Sequence, residues 1–319
     1  MNVMRRLLLA IAVLALAGGA AQAQNTLRIG YQKNGALVIL KQQRQLETEL
    51  GPRGIAVQWV EFQSGPPLLE ALNAGSIDFG ATGDTPPVFA QAAGVPFVYV
   101  GAQPVSGRNA AVLVRRDGPI AGIADLRGQR VAVTKGSSAH YQLVRTLRSA
   151  GLTLSDIRPV YLQPSDAAAA FRAGSVAAWT IWDPFYAIAE RDPDARVLTD
   201  GSIAPSNSFF LARRDYAEHF PAVIVSVLRA ANGAAAWSDA HQEDLARSMA
   251  DVTGVDVDAQ RVAAARGTYR VAFLDDAVIR TQQGVADTFH ALGVIPAAID
   301  VRAAVWLPPA GTRISGDPS

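Results

Sequence analysis

The sequence predicts an α/β protein of two similar lobes, each a mixed, mainly parallel sheet flanked by helices. Three observations carry that expectation. Short apolar runs alternate with helical segments through the first two thirds of the chain. The alternation passes twice through the same order, once over residues 27–101 and again over 110–181. Two stretches rich in turn residues, 103–109 and 200–206, bracket the second pass and read as crossings between the lobes.

The elements follow in order. Residues 27–31 form a strand. Residues 36–50 form a helix closed by Gly51-Pro52. Residues 55–62, with β-branched and aromatic side chains, form the second strand. A short helix over 66–74 stops at Gly75, a strand follows over 77–81, then a helix over 86–93 and a strand over 96–101. The second cycle has strands over 110–114 and 130–133. Its helix over 138–150 sets Leu143, Val144 and Leu147 on one face and stops at Gly151. A strand over 159–162, a helix over 164–173 and a strand over 177–181 complete it. After 200–206 comes a strand over 208–212. The remainder is helical, over 221–252, 258–266 and 276–292, with a loose tail over 311–319.

The two cycles share a local pattern. Leu69-Glu70-Ala71-Leu72-Asn73-Ala74-Gly75 leads through a strand to Asp84-Thr85-Pro86, and Ala169-Ala170-Phe171-Arg172-Ala173-Gly174 leads through a strand to Trp182-Asp183-Pro184. Each helix ends at Gly, and each strand delivers an acidic residue and a proline to a new helix start. In open α/β sheets ligands bind beyond the carboxyl ends of the strands. A cleft shared by the two lobes is the expected site.

Composition narrows the class. Met1 to Arg6 carries two arginines, residues 7–17 are unbroken apolar, and Ala21-Gln22-Ala23 offers a cleavage site. This is the layout of a secretory signal peptide over 1–23, so export to the periplasm is expected. The apolar run is too short to span a membrane. There is no cysteine, hence no disulfide and no thiolate. The formal charge of +1 becomes about −1 once Arg5 and Arg6 are removed, and no long basic run gives a footprint for nucleic acid. No phosphate-binding loop, dinucleotide fingerprint, nucleophile elbow or zinc-protease motif is present. His140, His219, His241 and His290 show no ligand spacing. No catalytic residue, metal or cofactor is expected.

Two helix starts could meet an anion. At Thr82-Gly83-Asp84-Thr85-Pro86-Pro87, Thr85 suits the cap and Pro86 the first helical position. At Lys135-Gly136-Ser137-Ser138-Ala139-His140, two serines stand at another start, with Lys135 and His140 as solvated flanks. Free N–H groups and the positive end of the helix dipole favour negative charge at both. Trp182 ends a strand and can cover an apolar tail, whereas Trp179 reads as core. Gln32-Lys33-Asn34-Gly35, Gln63-Ser64-Gly65-Pro66 and Pro205-Ser206-Asn207-Ser208 add polar loops at strand ends.

Taken together, Tyr31-Gln32-Lys33-Asn34-Gly35-Ala36-Leu37, Ala71-Leu72-Asn73-Ala74-Gly75-Ser76-Ile77-Asp78-Phe79-Gly80, Gly83-Asp84-Thr85-Pro86-Pro87, Lys135-Gly136-Ser137-Ser138 and Trp182-Asp183-Pro184-Phe185 resemble the periplasmic aliphatic-sulfonate-binding proteins of ABC importers. The resemblance runs in order over 27–210 and more loosely to the end. It implies the two-lobed periplasmic binding protein fold of type II, with two interlobe crossings. Lobe 1 would hold 24–104 and 208–319, and lobe 2 would hold 105–207. It implies a monomer that works with membrane permease and ATPase subunits.

It also implies a ligand-binding set of Gln32, Ser64, Gly83, Asp84, Thr85, Ser137, Ser138, Trp182, Asp183 and Asn207. The sulfonate would sit between the helix starts at Thr85 and Ser138. Backbone N–H groups and the hydroxyls of Thr85, Ser137 and Ser138 would donate to it, Gln32 and Ser64 would add donors, and Trp182 and Asn207 would wall the far side. A sulfonate only accepts hydrogen bonds, so neutral donors suffice and no arginine is required. At roughly 1.5–3 kcal/mol each, a handful covers micromolar binding after association costs. Asp84 is awkward beside an anion: it is either a turn residue pointing away or a partner for an amino or amide group on the ligand. The competing readings are a binder of another oxyanion, such as taurine, nitrate or sulfate, and a secreted hydrolase using Asp84 and Asp183 as an acid–base pair.

Overall fold

The structure, a computed structural model, describes residues 26–202 and 206–314. The expected leader over 1–23, Pro205 and the last five residues of the expected tail lie outside the described residues.

In chain order the elements are β1 (Thr26–Tyr31), α1 (Ala36–Gln43), α2 (Gln45–Leu50), β2 (Ala56–Glu61), α3 (Gly65–Asn73), β3 (Phe79–Thr82), α4 (Thr85–Ala92) and β4 (Phe97–Val105). Then come β5 (Ala110–Arg115), β6 (Arg130–Val133), α5 (Ser138–Ser149), β7 (Arg158–Tyr161), α6 (Pro164–Arg172), β8 (Ala178–Trp182), α7 (Phe185–Ala189) and β9 (Ala195–Asp200). The chain closes with β10 (Ser206–Arg213), α8 (Arg214–His219), α9 (Pro221–Ala240), α10 (Gln242–Thr253), α11 (Val257–Arg266) and α12 (Asp276–Ala291).

These strands build two five-stranded sheets, ordered β2-β1-β3-β10-β4 and β7-β6-β8-β5-β9. The orders are equivalent strand for strand, so the repeat read from the sequence is a repeat of topology. In each sheet the first three strands are parallel. The fourth is antiparallel to its neighbours and is the strand that adjoins a crossing, β5 in one sheet and β10 in the other. The chain leaves the first sheet after Val105 and returns at Ser206. Each sheet is covered on both faces, which is why its central strands are buried almost throughout. Leu27, Ile29, Phe79 and Phe210 pack under α1 and α9, while Tyr99, Phe209 and Leu211 pack under α3, α4 and α12. The second sheet buries Val112, Val131 and Leu143 on one side and Leu113, Phe171 and Trp179 on the other.

The structure departs from the sequence reading in four places. The helix expected over 36–50 is broken at Arg44, which takes the left-handed conformation at φ 53°. The helix expected over 221–252 is broken at His241, whose ring stacks on Trp237 with centroids 5.0 Å apart and whose Nδ1 lies 2.8 Å from the Trp237 carbonyl. The short helix α7 and the edge strand β9 were not expected; α7 has five residues, and β9 carries Arg196 and Asp200 on a half-exposed edge that hides its alternation. Finally, the tail is docked as far as Ile314, which is buried in the core under α9, while Arg229 Nε donates to the Arg313 carbonyl at 3.1 Å.

Candidate functional site

The carboxyl ends of β1, β3, β6 and β8 open into one cleft between the two sheets. Gln32, Gly83, Asp84, Ser137, Ser138, Trp182 and Asn207 all line it, from both sides. Ser64, Thr85 and Asp183 do not line this cleft, and their side chains are engaged elsewhere.

Asp84 forms a buried polar corner of the cleft. Its side chain is 3% exposed. Ser206 Oγ donates to Oδ2 at 2.8 Å and Thr85 Oγ1 donates to Oδ1 at 2.9 Å. Burial pushes the carboxyl above its usual range, while the hydroxyls of Ser138, Ser206 and Thr85 hold it toward the ionised form. From behind, Gln282 Nε2 donates to the Asp84 carbonyl at 2.6 Å and fixes the loop. Asp84, not Thr85, stands at the cap position of α4, and Thr85 is the first helical residue. The cause is local: with Pro86 and Pro87 lacking N–H groups, a Thr85 cap would have little to bond.

Hydroxyls of the expected donor set are engaged within the protein. A hydroxyl has one proton. Those of Thr85 and Ser206 go to the Asp84 carboxyl, and Ser138 is turned to the same carboxyl. Ser137 caps α5, and its hydroxyl donates to the Thr134 carbonyl at 2.7 Å while accepting from the His140 N–H at 3.4 Å. The anion at these two helix starts is the chain's own Asp84. Gly83 packs so closely on Ser138 that a Cβ there would overlap Ser138 Oγ.

Ser64 is fully buried and its hydroxyl donates to Gln163 Oε1 at 2.8 Å, across the gap between the sheets. Beside it Ser165 Oγ donates to Gln63 Oε1 at 2.9 Å. The Ser64 hydroxyl proton is therefore engaged in a clasp between the two sheets. Asp183 lies in an adjoining seam with Arg266 and Tyr269. Its Oδ1 accepts from the Ala187 N–H at 3.0 Å and lies 3.4 Å from Arg266, and Oδ2 is buried without a partner. Burial raises its carboxyl to about 7, against the pull of the Arg266 guanidinium. Arg266 also bonds Glu190 at 2.5 Å and sits 4.1 Å from the Tyr186 ring centroid. Asp84 and Asp183 thus line adjoining cavities and have different partners.

Gln32 lines the cleft with its Nε2 donating to the Ala81 carbonyl at 3.2 Å, which leaves one of its two N–H groups. Trp182 is half-buried at the end of β8, edge-on to Phe185 at 6.3 Å. Trp179, by contrast, is buried against Phe171. His140 is not the solvated flank expected from sequence. It is fully buried, its ring 5.5 Å from that of Phe289, and its Nδ1 accepts from the Gly136 N–H. Burial, with the Lys135 charge adding to it, lowers its pKa to about 4.

Sequence reasoning missed two unpartnered donors. Gln142 Nε2 and one terminal nitrogen of Arg145 are buried at the cleft and have no hydrogen-bond partner. Ser138, Tyr141, Gln142 and Arg145 recur at the three- and four-residue spacing of one helix face, so a stripe running down α5 from Ser138 was the available signal. The start of α1, at Gly35, Ala36 and Leu37, also lines the cleft. Gly35 stands there at φ 82°, and the first N–H groups of α1 have no acceptor within the helix.

A family model described as NMT1/THI5 like matches residues 52–245. A curated Escherichia coli (strain K12) protein named for binding aliphatic sulfonates is 42% identical over 314 residues, covering 97% of this chain and 96% of that one. Among solved structures, the periplasmic aliphatic sulphonate binding protein SsuA from Escherichia coli superposes with a TM-score of 0.81 at 41% identity, over 92% of this chain and 95% of that chain. The alkanesulfonate-binding protein SsuA from Xanthomonas axonopodis pv. citri, bound to MOPS, gives 0.83 at 41% identity, over 88% and 98%.

Proposed function

We infer from one premise, that the chain belongs to the NMT1/THI5-like family and to the aliphatic sulfonate-binding proteins within it, that it is the solute-binding component of an ABC importer. It captures aliphatic sulfonates in the cleft between its two sheets. The observation that carries this reading is a cleft bridged on both flanks, in which Gln142 Nε2 and one terminal nitrogen of Arg145 are buried and lack acceptors. A sulfonate supplies oxygens that accept and never donate. Leaving a buried donor unpaired costs roughly 1–3 kcal/mol, and a ligand that pairs it recovers that cost as affinity.

In this reading lobe 1 holds residues 24–104 and 208–319 and lobe 2 holds 105–207. The sulfonate group meets Gln142 and Arg145, with the remaining N–H of Gln32 and the first N–H groups of α1 as further donors. Trp182 lies against the carbon tail, and Asn207 walls the cleft beside the crossing. The protein works in the periplasm as a monomer and delivers its ligand to permease and ATPase subunits.

Calorimetric titration of the mature protein tests the assignment, using linear alkanesulfonates beside nitrate, sulfate and alkanecarboxylates. Micromolar or tighter binding confined to sulfonates supports it; tight nitrate or sulfate binding in their place sinks it. In Trp182→Ala, long-tailed sulfonates lose about tenfold in affinity and methanesulfonate much less, because the tail loses apolar cover worth about 1–2 kcal/mol. Equal losses at all tail lengths would remove Trp182 from that role.

A further inference from the structure

The seam beside the main cleft strands two acceptors. Asn109 and Asp183, at strand ends of the second sheet, line it together with Asn34, Gln260, Arg266 and Tyr269. Among the described residues that line it, the buried side-chain atoms without a hydrogen-bond partner are Asp183 Oδ2 and Gln260 Oε1. Both residues are deeply buried, Asp183 at 4% exposure and Gln260 at 0%. A buried acceptor left without a donor costs free energy, and more so when it carries charge.

The Gln260 amide cannot turn over to cure this. Thr253 Oγ1 donates its one proton to the Met249 carbonyl at 2.6 Å, so toward Gln260 it can only accept. Gln260 Nε2 donates to it at 2.9 Å, which fixes Oε1 on the other side of the amide. Asp183 is held as firmly. Its Oδ1 accepts from the Ala187 N–H at 3.0 Å, and its carbonyl accepts from Asn34 Nδ2 at 2.9 Å. The charges do not balance either. Arg266 lies 2.5 Å from Glu190 and 3.4 Å from Asp183, so one guanidinium serves two carboxylates and the closer contact goes to Glu190. Lys33 is engaged by the Thr253 carbonyl and by Glu61. One negative charge is left over at the seam.

We propose that the seam is a second binding site, for a small monovalent cation of the class of sodium, potassium or ammonium, held by Asp183 Oδ2 and Gln260 Oε1. A single positive charge matches the excess. A divalent ion would overshoot it, and calcium asks for about six to eight oxygen ligands. Arg266 opposes a cation here, but its own charge is shared with Glu190. The walls come from both sides of the gap, Asp183 from the end of β8 and Gln260 from α11, so the site is complete only while the two sides are together. A cation bound there favours that arrangement and, by linkage, tightens any ligand that requires it. The proposal is independent of which ligand the main cleft takes.

The test is thermal melting of the mature protein at about pH 8, where the Asp183 carboxyl is ionised. Sodium, potassium and ammonium chlorides are compared with tetramethylammonium chloride at equal ionic strength. The expected result is a melting temperature about 2–4 °C higher in at least one of the small cations. Asp183→Asn keeps the shape of the side chain and puts an N–H donor where Oδ2 stood. It should melt at or above the parent in tetramethylammonium and no longer respond to the small cations. Gln260→Leu, which removes the other oxygen, should lose the response as well. Calorimetric titration with an alkanesulfonate in the same salts should show binding a few-fold tighter with the favoured cation, in the parent alone. Melting that is equal in all four salts, or a response that survives Asp183→Asn, would overturn the proposal. A rise on acidification toward about pH 6 in tetramethylammonium, with no response to the small cations, would give the place to a proton instead. The melting readout needs no sulfonate, so failure of the sulfonate assignment cannot be mistaken for failure of this one.

Discussion

His140 shows how one side chain couples the cleft wall to stability. In the folded chain its ring stays neutral down to about pH 4, because it is buried among Phe89, Phe289 and Tyr161 near Lys135. Unfolded, it takes a proton near 6.5. Its contribution is complete above pH 6.5 and is lost as pH falls from there toward 4, by up to about 3 kcal/mol. Asp183 acts in the opposite sense: its folded carboxyl, at about 7, holds a proton that the unfolded chain releases near 4, so stability falls as pH rises between those values. The two slopes offset each other in the intact protein. In His140→Gln the urea midpoint should therefore rise more on going from pH 7 to pH 5 than in the parent, and identical changes would exclude this role. None of this was legible in sequence. A histidine beside Lys135 at a helix start reads as solvent-facing until the packing of α12 on α5 is known. Asp84 stood out in sequence as awkward beside an anion, but the direction of its hydroxyl partners is a tertiary fact.

At the level of elements, most strands and helices followed from alternation and from Gly and Pro at their ends. The misses share a cause, which is that a backbone break inside an apolar run leaves no compositional mark. Arg44 is such a break. A side chain in the left-handed region costs about 1–2 kcal/mol relative to the ordinary helix, and Gly pays less there. Arg44→Gly should raise stability by about 0.5–1 kcal/mol in urea unfolding, whereas a loss would mean that the Arg44 side chain supports the α1–α2 turn. Gly83 makes the converse case, since it separates β3 in the first lobe from Ser138 in the second. Gly83→Ala places a methyl group on Ser138 Oγ and should reduce ligand affinity by roughly tenfold or more, with the melting temperature nearly unchanged, because the clash exists only when the lobes are together. A parallel fall in melting temperature would instead make Gly83 a folding residue.

On the scale of the whole molecule, the cleft is held shut from two sides. Gln63, Ser64, Gln163 and Ser165 exchange hydrogen bonds on one flank. On the other, Asn34 Nδ2 donates to the Asp183 carbonyl at 2.9 Å and Arg191 pairs with Asp256. Such contacts set the balance between open and closed lobes and so the lifetime of the complex. Gln163→Ala combined with Arg191→Ala should speed ligand release several-fold in stopped-flow displacement while leaving the association rate nearly constant. Slower association with unchanged release would contradict it. Two lobes with strand ends facing a cleft could be read from the repeated Gly-strand-Asp-Pro pattern, and the crossings from the turn-rich stretches 103–109 and 200–206. What the sequence could not reveal was which polar loops face each other, because that depends on how the sheets are set across the crossings.

The strand β10 has a consequence for how the chain acquires this shape. It sits between β3 and β4, pairing Phe209 with both Thr82 and Ala102, so the first sheet has an empty slot until the whole second lobe has emerged. The second sheet has no such dependence, since β5 to β9 are contiguous in the chain. During synthesis the later lobe is thus the one able to complete itself first, and the earlier lobe waits with two raw strand edges exposed. Those edges are the part of the newborn chain most in need of a chaperone, and the arrival of residues 206–213 is the event that ends that need.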